Sequence, residues 1–454
     1  MTGTLRLFTI EWRRSVALWF FPLLVLAGGW FSADLLLSMK VAIWANTSAH
    51  IGLAAIALAP LMGGVAAWAA GRDQRRGMRD LLATTPRPAP QRDLAALGGL
   101  ALWGMLAYVA AGAYDVFVSL RNDPWGALVA EPIVVGLLAV IAGAAIGYLA
   151  GTLVPSRLVP PLVPIVLFFT MGLLNSGWFW DDPVTNLSPW TLIEDARFGN
   201  PNTVFYAHPP SLLLESLLWL AGPTGVAIAA VALYRRRSLI TWGALAVSVV
   251  VAATGATTLM LAFENPNTGR GQWETRELVA STPVCIERSI PVCVHPAFEP
   301  LLAENASQID LVIEPVLGLS GAPVRAEQLP FANGMYANGT LTIDPIFGDV
   351  EGVTLALVQD SVAPGPGWNM QYHLQPEQDV IAIWLARRID ASAFEHSYRM
   401  TFDSVAGPIR DPVQDDIDAA VARFNALAPA EQRAWLEANY ADLRAGRLDM
   451  DDLP

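Results

Sequence analysis

Cys285 and Cys293 are the chain's two cysteines, and His295 follows closely in Cys-Ile-Glu-Arg-Ser-Ile-Pro-Val-Cys-Val-His-Pro. Two thiols and an imidazole at this spacing can hold a metal ion, or the thiols can join. A zinc site wants four ligands and no fourth lies nearby. The disulfide is therefore the preferred reading, provided that this part of the chain lies in an oxidising compartment. Closing so short a loop stabilises by roughly 2–3 kcal/mol in the loop-entropy model.

Other constellations are missing. His50, His208, His295, His373 and His396 show no ligand spacing, and Glu395-His396 has no second histidine four residues away. Neither a His-Glu-x-x-His zinc helix nor a Gly-x-Ser-x-Gly elbow occurs. A P-loop needs Gly-Lys-Ser/Thr. The chain's one lysine, Lys40, stands in Ser-Met-Lys-Val. The expectation is thus no catalytic residue, no metal ligand and no cofactor in this chain. Any ATP-driven work needs another protein.

The elements that must position these residues divide between two solvents. Of 454 residues, 54% are hydrophobic and only 15% charged, with mean hydropathy +0.41. A soluble chain carries about 25% charged residues. A net charge of −13 argues against a nucleic-acid partner. Residues 1–262 hold 16 basic and 13 acidic side chains, and residues 263–454 hold 12 and 28. The long apolar runs also stop near Ala262. The first part reads as lying in lipid, the second in water.

Seven windows free of Asp, Glu, Lys and Arg are long enough for a bilayer helix of about 20 residues: 15–33, 41–71, 94–114, 132–156, 158–180, 216–234 and 238–263. The second is long, and its helix is expected at about 49–70. With the N-terminus in the cytoplasm, the inner segments hold thirteen arginines, and the outer loops hold only Lys40, Arg121 and Arg197. That asymmetry fixes the orientation, and seven spans put 264–454 outside. Trp12, Trp19, Trp30, Trp44, Trp178, Trp180 and Trp190 fall near the expected helix ends, where such rings prefer to sit. Gly143, Gly147 and Gly151 line one helical face and permit close backbone approach, within one subunit rather than across a dimer. Asp115 and Glu215 are expected near the outer interface. With no second buried acid or histidine beside them, they do not suggest a proton relay.

The loop after the second window reads Arg72-Asp73-Gln74-Arg75-Arg76-Gly77-Met78-Arg79-Asp80-Leu81-Leu82-Ala83-Thr84-Thr85-Pro86-Arg87. Positions 73–82 can form a short amphipathic helix, with Met78, Leu81 and Leu82 on one face and Arg75, Arg76 and Arg79 around it. Pro86 ends it. Such a helix can dock on a soluble partner. The plainer reading is a basic loop lying on anionic lipid.

This stretch resembles the coupling segment of ABC-2 type transporter permeases. Asp73, Arg75, Arg76, Gly77, Asp80, Leu81, Leu82 and Pro86 match the family's pattern in order, with Met78 where Thr is usual. The likeness covers about 1–237. The opening Leu-Arg-Leu-Phe-Thr-Ile-Glu-Trp-Arg-Arg-Ser is similar to the family's cytoplasmic interface helix, with Leu5, Phe8 and Trp12 on one face. The loop at 178–214 stands where the family has short external helices. The resemblance implies a six-span permease core at 1–237, a seventh tethering helix at 238–263, a separate ATP-binding subunit and a second permease copy or paralogue. ATPase docking would fall to Arg75, Arg76, Met78, Arg79, Leu81 and Leu82.

The external part, 264–454, is expected to be an α+β domain. Asp310-Leu-Val-Ile-Glu314, Gly339-Thr-Leu-Thr-Ile343 and Asp379-Val-Ile-Ala-Ile-Trp384 read as strands. Turns are expected at Asn333-Gly334, Asn338-Gly339 and Pro364–Gly367. Two helices follow in 412–446, carrying stripes of Val413, Ile417, Val421, Phe424 and Leu427 and of Trp435, Leu436, Tyr440 and Leu443. Gly446 stands where a capping glycine belongs. The ending, Trp435 to Pro454, is similar to the tails of actinobacterial permeases of this type.

Three functions compete on these residues. A cell-membrane transporter permease, exporting or extracting a lipophilic or peptide-like compound, accounts for the spans, the loop and the missing P-loop together. A membrane-anchored receptor or sensor with an external ligand-binding domain would want a cytoplasmic signalling domain, which the chain lacks. A membrane peptidase would need a site that no motif announces.

Overall fold

The computed structural model describes residues 2–37, 41–77, 88–174, 187–189, 202–207, 210–263, 277–328, 340–343, 362, 375–388 and 412–454. The chain forms two compact units, and the main division falls between Leu278 and Val279. The first unit is helical: α1 (Thr2–Arg13), α2 (Ala17–Leu37), α3 (Trp44–Arg75), α4 (Ala89–Leu120), α5 (Ala130–Leu153), α6 (Val159–Leu174), α7 (Pro210–Arg235) and α8 (Leu239–Phe263).

Five of these, α3, α4, α5, α7 and α8, are long and apolar enough to cross a membrane. A sixth span arises if α1 and α2 count as one, but the two are bent by 63°. Ser15 explains the break: its Oγ accepts from the Ala17 N–H at 3.3 Å and so caps the start of α2. The expectation of seven spans is therefore met by length in five helices. The apolar helix α6 has 16 residues, and 175–180 lie outside the described residues.

Helix α3 is the axis of this unit. It runs 32 residues, about 48 Å at 1.5 Å per residue. It starts at Trp44, five residues before the expected position 49, and so takes in the polar run Asn46-Thr-Ser-Ala-His50. Two of those side chains bond back to their own helix: Thr47 Oγ1 donates to the Ile43 carbonyl at 3.1 Å, and Ser48 Oγ to that of Trp44 at 2.7 Å. The same Ser48 Oγ accepts from the Val129 N–H at 2.8 Å, fixing the start of α5. Against α3 lie Gly143, Gly147 and Gly151 of α5. A Cβ there would stand 2.3, 2.0 and 2.2 Å from the carbonyl oxygens of Ala59, Gly63 and Ala67. The packing is internal to the subunit, small residue against small residue. Ala54, Leu58, Met62, Leu100, Tyr108 and Val140 are among the residues of the surrounding core. A short strand β1 (Tyr206–Ala207) pairs antiparallel with β2 (Glu277–Leu278) and ties the chain before α7 to the chain after α8.

The second unit holds a mixed sheet in the order β3 (Val284–Glu287), β4 (Pro291–Val294), β5 (Arg325–Glu327), β6 (Thr340–Thr342). β3 and β4 form a hairpin, and β5 and β6 add in parallel. Among the described residues, four α-helices accompany it: α9 (Leu302–Ile313), α10 (Pro376–Ala386), α11 (Pro412–Ala426) and α12 (Pro429–Arg444).

Two runs expected as strands are helical. Asp310–Ile313 ends α9, whose buried face is Leu302, Ala306, Ile309 and Ile313 at helical spacing. Asp379–Trp384 lies inside α10, where Pro376 opens the helix and Gln375 and Gln378 form a capping box. Val380 to Ala386 are all buried, so the run carries neither period. The third run is strand β6, as expected. The three expected turns fall outside the described residues. Phe424 of α11 is packed edge-on by Trp384 at 5.1 Å and by Trp435 at 5.4 Å. Helix α12 stops at Gly446, φ +62°, where the Gly446 and Arg447 amides donate to the Leu443 and Asp442 carbonyls.

Candidate functional site

The loop that carries the transporter resemblance begins where α3 ends. Arg76 and Gly77 are exposed, and Gly77 takes φ +65° with its N–H on the Gln74 carbonyl at 3.1 Å. That left-handed glycine is a helix stop. The continuous helix expected over 73–82 is thus interrupted: 73–75 finish α3. Arg75 does not project as a rim charge. Its guanidinium folds back over Trp68, 4.7 Å from the ring, and donates to the Trp68 carbonyl at 2.6 Å. Met78, Arg79, Leu81 and Leu82 lie outside the described residues.

Helix α1 packs on α4 close to that loop in sequence. Phe8 faces Gly98, and the backbone of Trp12 faces Gly99, where a Cβ would come within 3.2 Å in each case. Trp103 donates from Nε1 to the Trp12 carbonyl at 2.9 Å, lies tilted against the Trp12 ring and meets Phe21 edge-on. At the start of α4, Asp93 accepts from Arg235 Nε at 2.9 Å and from the Tyr148 hydroxyl at 3.0 Å. One carboxylate thereby joins α4, the end of α5 and the end of α7. Sequence reasoning passed over this ion pair, because 142 residues separate its members.

The opposite ends of α3 and α4 hold a polar cluster enclosed by protein. Asp115 is fully buried within the protein. Ser32 Oγ of α2 lies 3.2 Å from Asp115 Oδ1, while Oδ2 has no partner. One turn on, the Ser119 and Thr47 hydroxyls meet at 2.7 Å. His50 is also fully buried, with neither ring nitrogen hydrogen-bonded. A second buried ionisable group therefore does exist in this unit. The signal was available in the polar run 46–50 within an apolar window. Glu215 of α7 is half-buried.

Cys285 and Cys293 sit directly opposite each other on β3 and β4, with Cα atoms 4.1 Å apart, and are joined as a disulfide. The metal alternative fails on the same geometry. His295 Nδ1 accepts from the Ala297 N–H at 3.2 Å and caps the turn that follows β4. Burial holds this imidazole below its ordinary value, and capping requires the neutral ring. Among the described residues no group of three His, Cys, Asp or Glu could hold a metal ion.

No protein-family model, no curated protein and no solved structure matches the chain. What the arrangement itself supports is a membrane protein with several spanning helices and a second unit of mixed sheet and helices.

Proposed function

We propose that the chain is the membrane permease subunit of an ATP-driven transporter of the ABC-2 type. It works with a separate ATP-binding subunit and with a second permease copy or paralogue, and it exports or extracts a lipophilic or peptide-like compound. The observation that carries the reading is the ordered pattern Asp73, Arg75, Arg76, Gly77, Asp80, Leu81, Leu82, Pro86 following a membrane-length helix. The glycine stop at Gly77 supports it, since it makes the loop a feature distinct from the span. The amphipathic α1, bent 63° from α2 and seated on α4, supports it further. The N-terminus lies in the cytoplasm and residues 264–454 lie outside.

Docking rests on the apolar positions of the loop, because buried anchors carry more binding energy than rim charges. Leu81→Asp places an unpaired carboxylate in the contact, at a cost of about 3–5 kcal/mol. Every 1.4 kcal/mol is tenfold in affinity, so this variant should lose the ATP-binding subunit on purification. Arg76→Ala should retain most of it. Full retention by Leu81→Asp would remove the docking argument. Reporter fusions at residues 90 and 454 should lie on opposite sides of the membrane.

A further inference from the structure

Counting protons around Ser32 leads to a site that the permease reading does not use. The Ser32 Oγ has three acceptor oxygens around it: the Gly28 carbonyl at 3.1 Å, the Gly29 carbonyl at 3.3 Å and Asp115 Oδ1 at 3.2 Å. A hydroxyl owns one proton, and a carbonyl oxygen can only accept. If Asp115 were ionised, three acceptors would compete for that single proton. The second carboxylate oxygen, buried, would face no donor at all. An uncompensated charge in such a place is far more costly than an unpaired neutral oxygen.

A protonated carboxyl resolves the count. Its Oδ1–H donates to Ser32 Oγ, and Ser32 donates to the glycine carbonyls of its own helix. Oδ2 is then a neutral carbonyl oxygen. The surroundings supply no counter-charge. From α2 the carboxyl is faced by Ser32. From α3 the packing at this level is Ile51 against Gly112 and Thr47 against Ser119, and the titratable residue there is His50. From its own helix the titratable neighbour is Tyr108, whose hydroxyl donates to the Ile133 carbonyl at 2.9 Å. The close approach of Gly28 to Leu58 and Ala111 leaves little slack between α2, α3 and α4.

We propose that Asp115 is a proton-binding site that clasps α2 to α4. Its carboxyl holds a proton in the closed arrangement and releases it when the two helices part. On opening, the Oδ1–H bond breaks, the electron pair stays on the carboxylate, and the proton passes to a water molecule admitted by the gap. The ligand is the proton itself. The inference stands whether or not the chain works with an ATPase.

Two measurements on the full chain in lipid nanodiscs test it. Infrared difference spectra at pH 7, wild type against Asp115→Asn, should show a protonated carboxyl band that belongs to Asp115. Ser32→Ala should shift that band by removing its acceptor. A carboxylate signal in its place would overturn the proposal. The second measurement uses Ser119→Cys. Ser119 is buried one turn from Asp115, and both native cysteines are in the disulfide, so the new thiol is the single target. Labelling by an uncharged thiol reagent, corrected for thiolate content, should rise with pH, by up to about tenfold per unit for a one-proton opening. It should be flat in the Ser119→Cys/Asp115→Asn double variant, in which position 115 has no carboxyl to ionise. Equal pH dependence in both backgrounds would overturn the clasp.

Discussion

Glycine has a use in the membrane unit that it lacks among the described residues of the second unit. In the membrane unit, Gly143, Gly147 and Gly151 are mid-helix, and their missing side chains let α5 touch the backbone of α3. In the second unit the described glycines are Gly318, Gly321 and Gly446, and all three hold positive φ with turn geometry. Exposure divides the same way. Trp19, Leu239 and Ile240 of the membrane unit are 84%, 92% and 83% exposed, an apolar surface suited to lipid or to another membrane helix rather than to water. The second unit buries Val292, Ile309, Phe424 and Tyr440 and turns Arg447, Asp451 and Asp452 outward. Where the surroundings are as apolar as the interior, hydrophobicity cannot hold helices together, and close backbone packing takes over. Where the surroundings are water, an ordinary core suffices and glycine is left to the turns.

The contrast breaks most sharply at Gly147. A Cβ there would lie 2.0 Å from the Gly63 carbonyl oxygen, backbone against backbone. Gly147→Leu should abolish the folded membrane unit, and Gly147→Ala should cost at least about 1–3 kcal/mol. Gly243→Ala, in open space on α8, should be neutral or stabilise by up to about 1 kcal/mol. Thermal melts in one detergent compare the three. Equal melting of Gly147→Leu and Gly243→Ala would show that α3 and α5 do not pack this way.

The next effect belongs to the second unit alone. Replacing both Cys285 and Cys293 with serine should lower its stability by about 2–3 kcal/mol and leave the membrane unit's melting unchanged. Mass spectrometry of alkylated, non-reduced wild-type protein should find both thiols blocked. Two labelled thiols would remove the bridge and the oxidising placement with it.

The smallest effect sharpens the comparison with pH. The imidazole of His295 is held below its ordinary value by burial. Between that lowered value and the ordinary one, near 6.5, the unfolded chain binds the extra proton and the folded one does not. Stability is therefore full above the ordinary histidine value and is lost as pH falls through it towards the lowered one. Urea unfolding followed through Trp384 and Trp435 between pH 7.5 and 5 should show the loss. His295→Asn keeps an acceptor for the Ala297 amide without titrating, and should flatten the curve in that range. An unchanged slope would place the titrating group elsewhere.

How much of this was legible follows from range. The disulfide was readable, because two cysteines with one short loop between them admit few alternatives. The helices α11 and α12 and the stop at Gly446 were readable from an apolar stripe bracketed by Pro429 and glycine. The apolar windows marked the membrane helices because a bilayer demands length. Runs such as Val380–Trp384 were not readable, since a wholly buried segment loses its period. Gly77 was read as part of a family pattern, and its left-handed backbone stayed hidden. The enclosure of Asp115 was not readable, because nothing local reveals that α2 returns Ser32 to its side, 83 residues away. The Asp93–Arg235 pair lay beyond any spacing argument for the same reason.

That pair also sets a timetable for assembly. Asp93 is synthesised first, Tyr148 arrives 55 residues later and Arg235 142 residues later. At roughly 5–20 residues per second, the carboxylate waits about 7–28 s for its counter-ion, with only a phenol to share in the meantime. A nascent chain halted after α5 carries the negative charge without its partner, and it gains the bracket of α4, α5 and α7 only once the end of α7 has been made. The ion pair thus marks the point at which α4, α5 and α7 have all been made, with α8 still to follow.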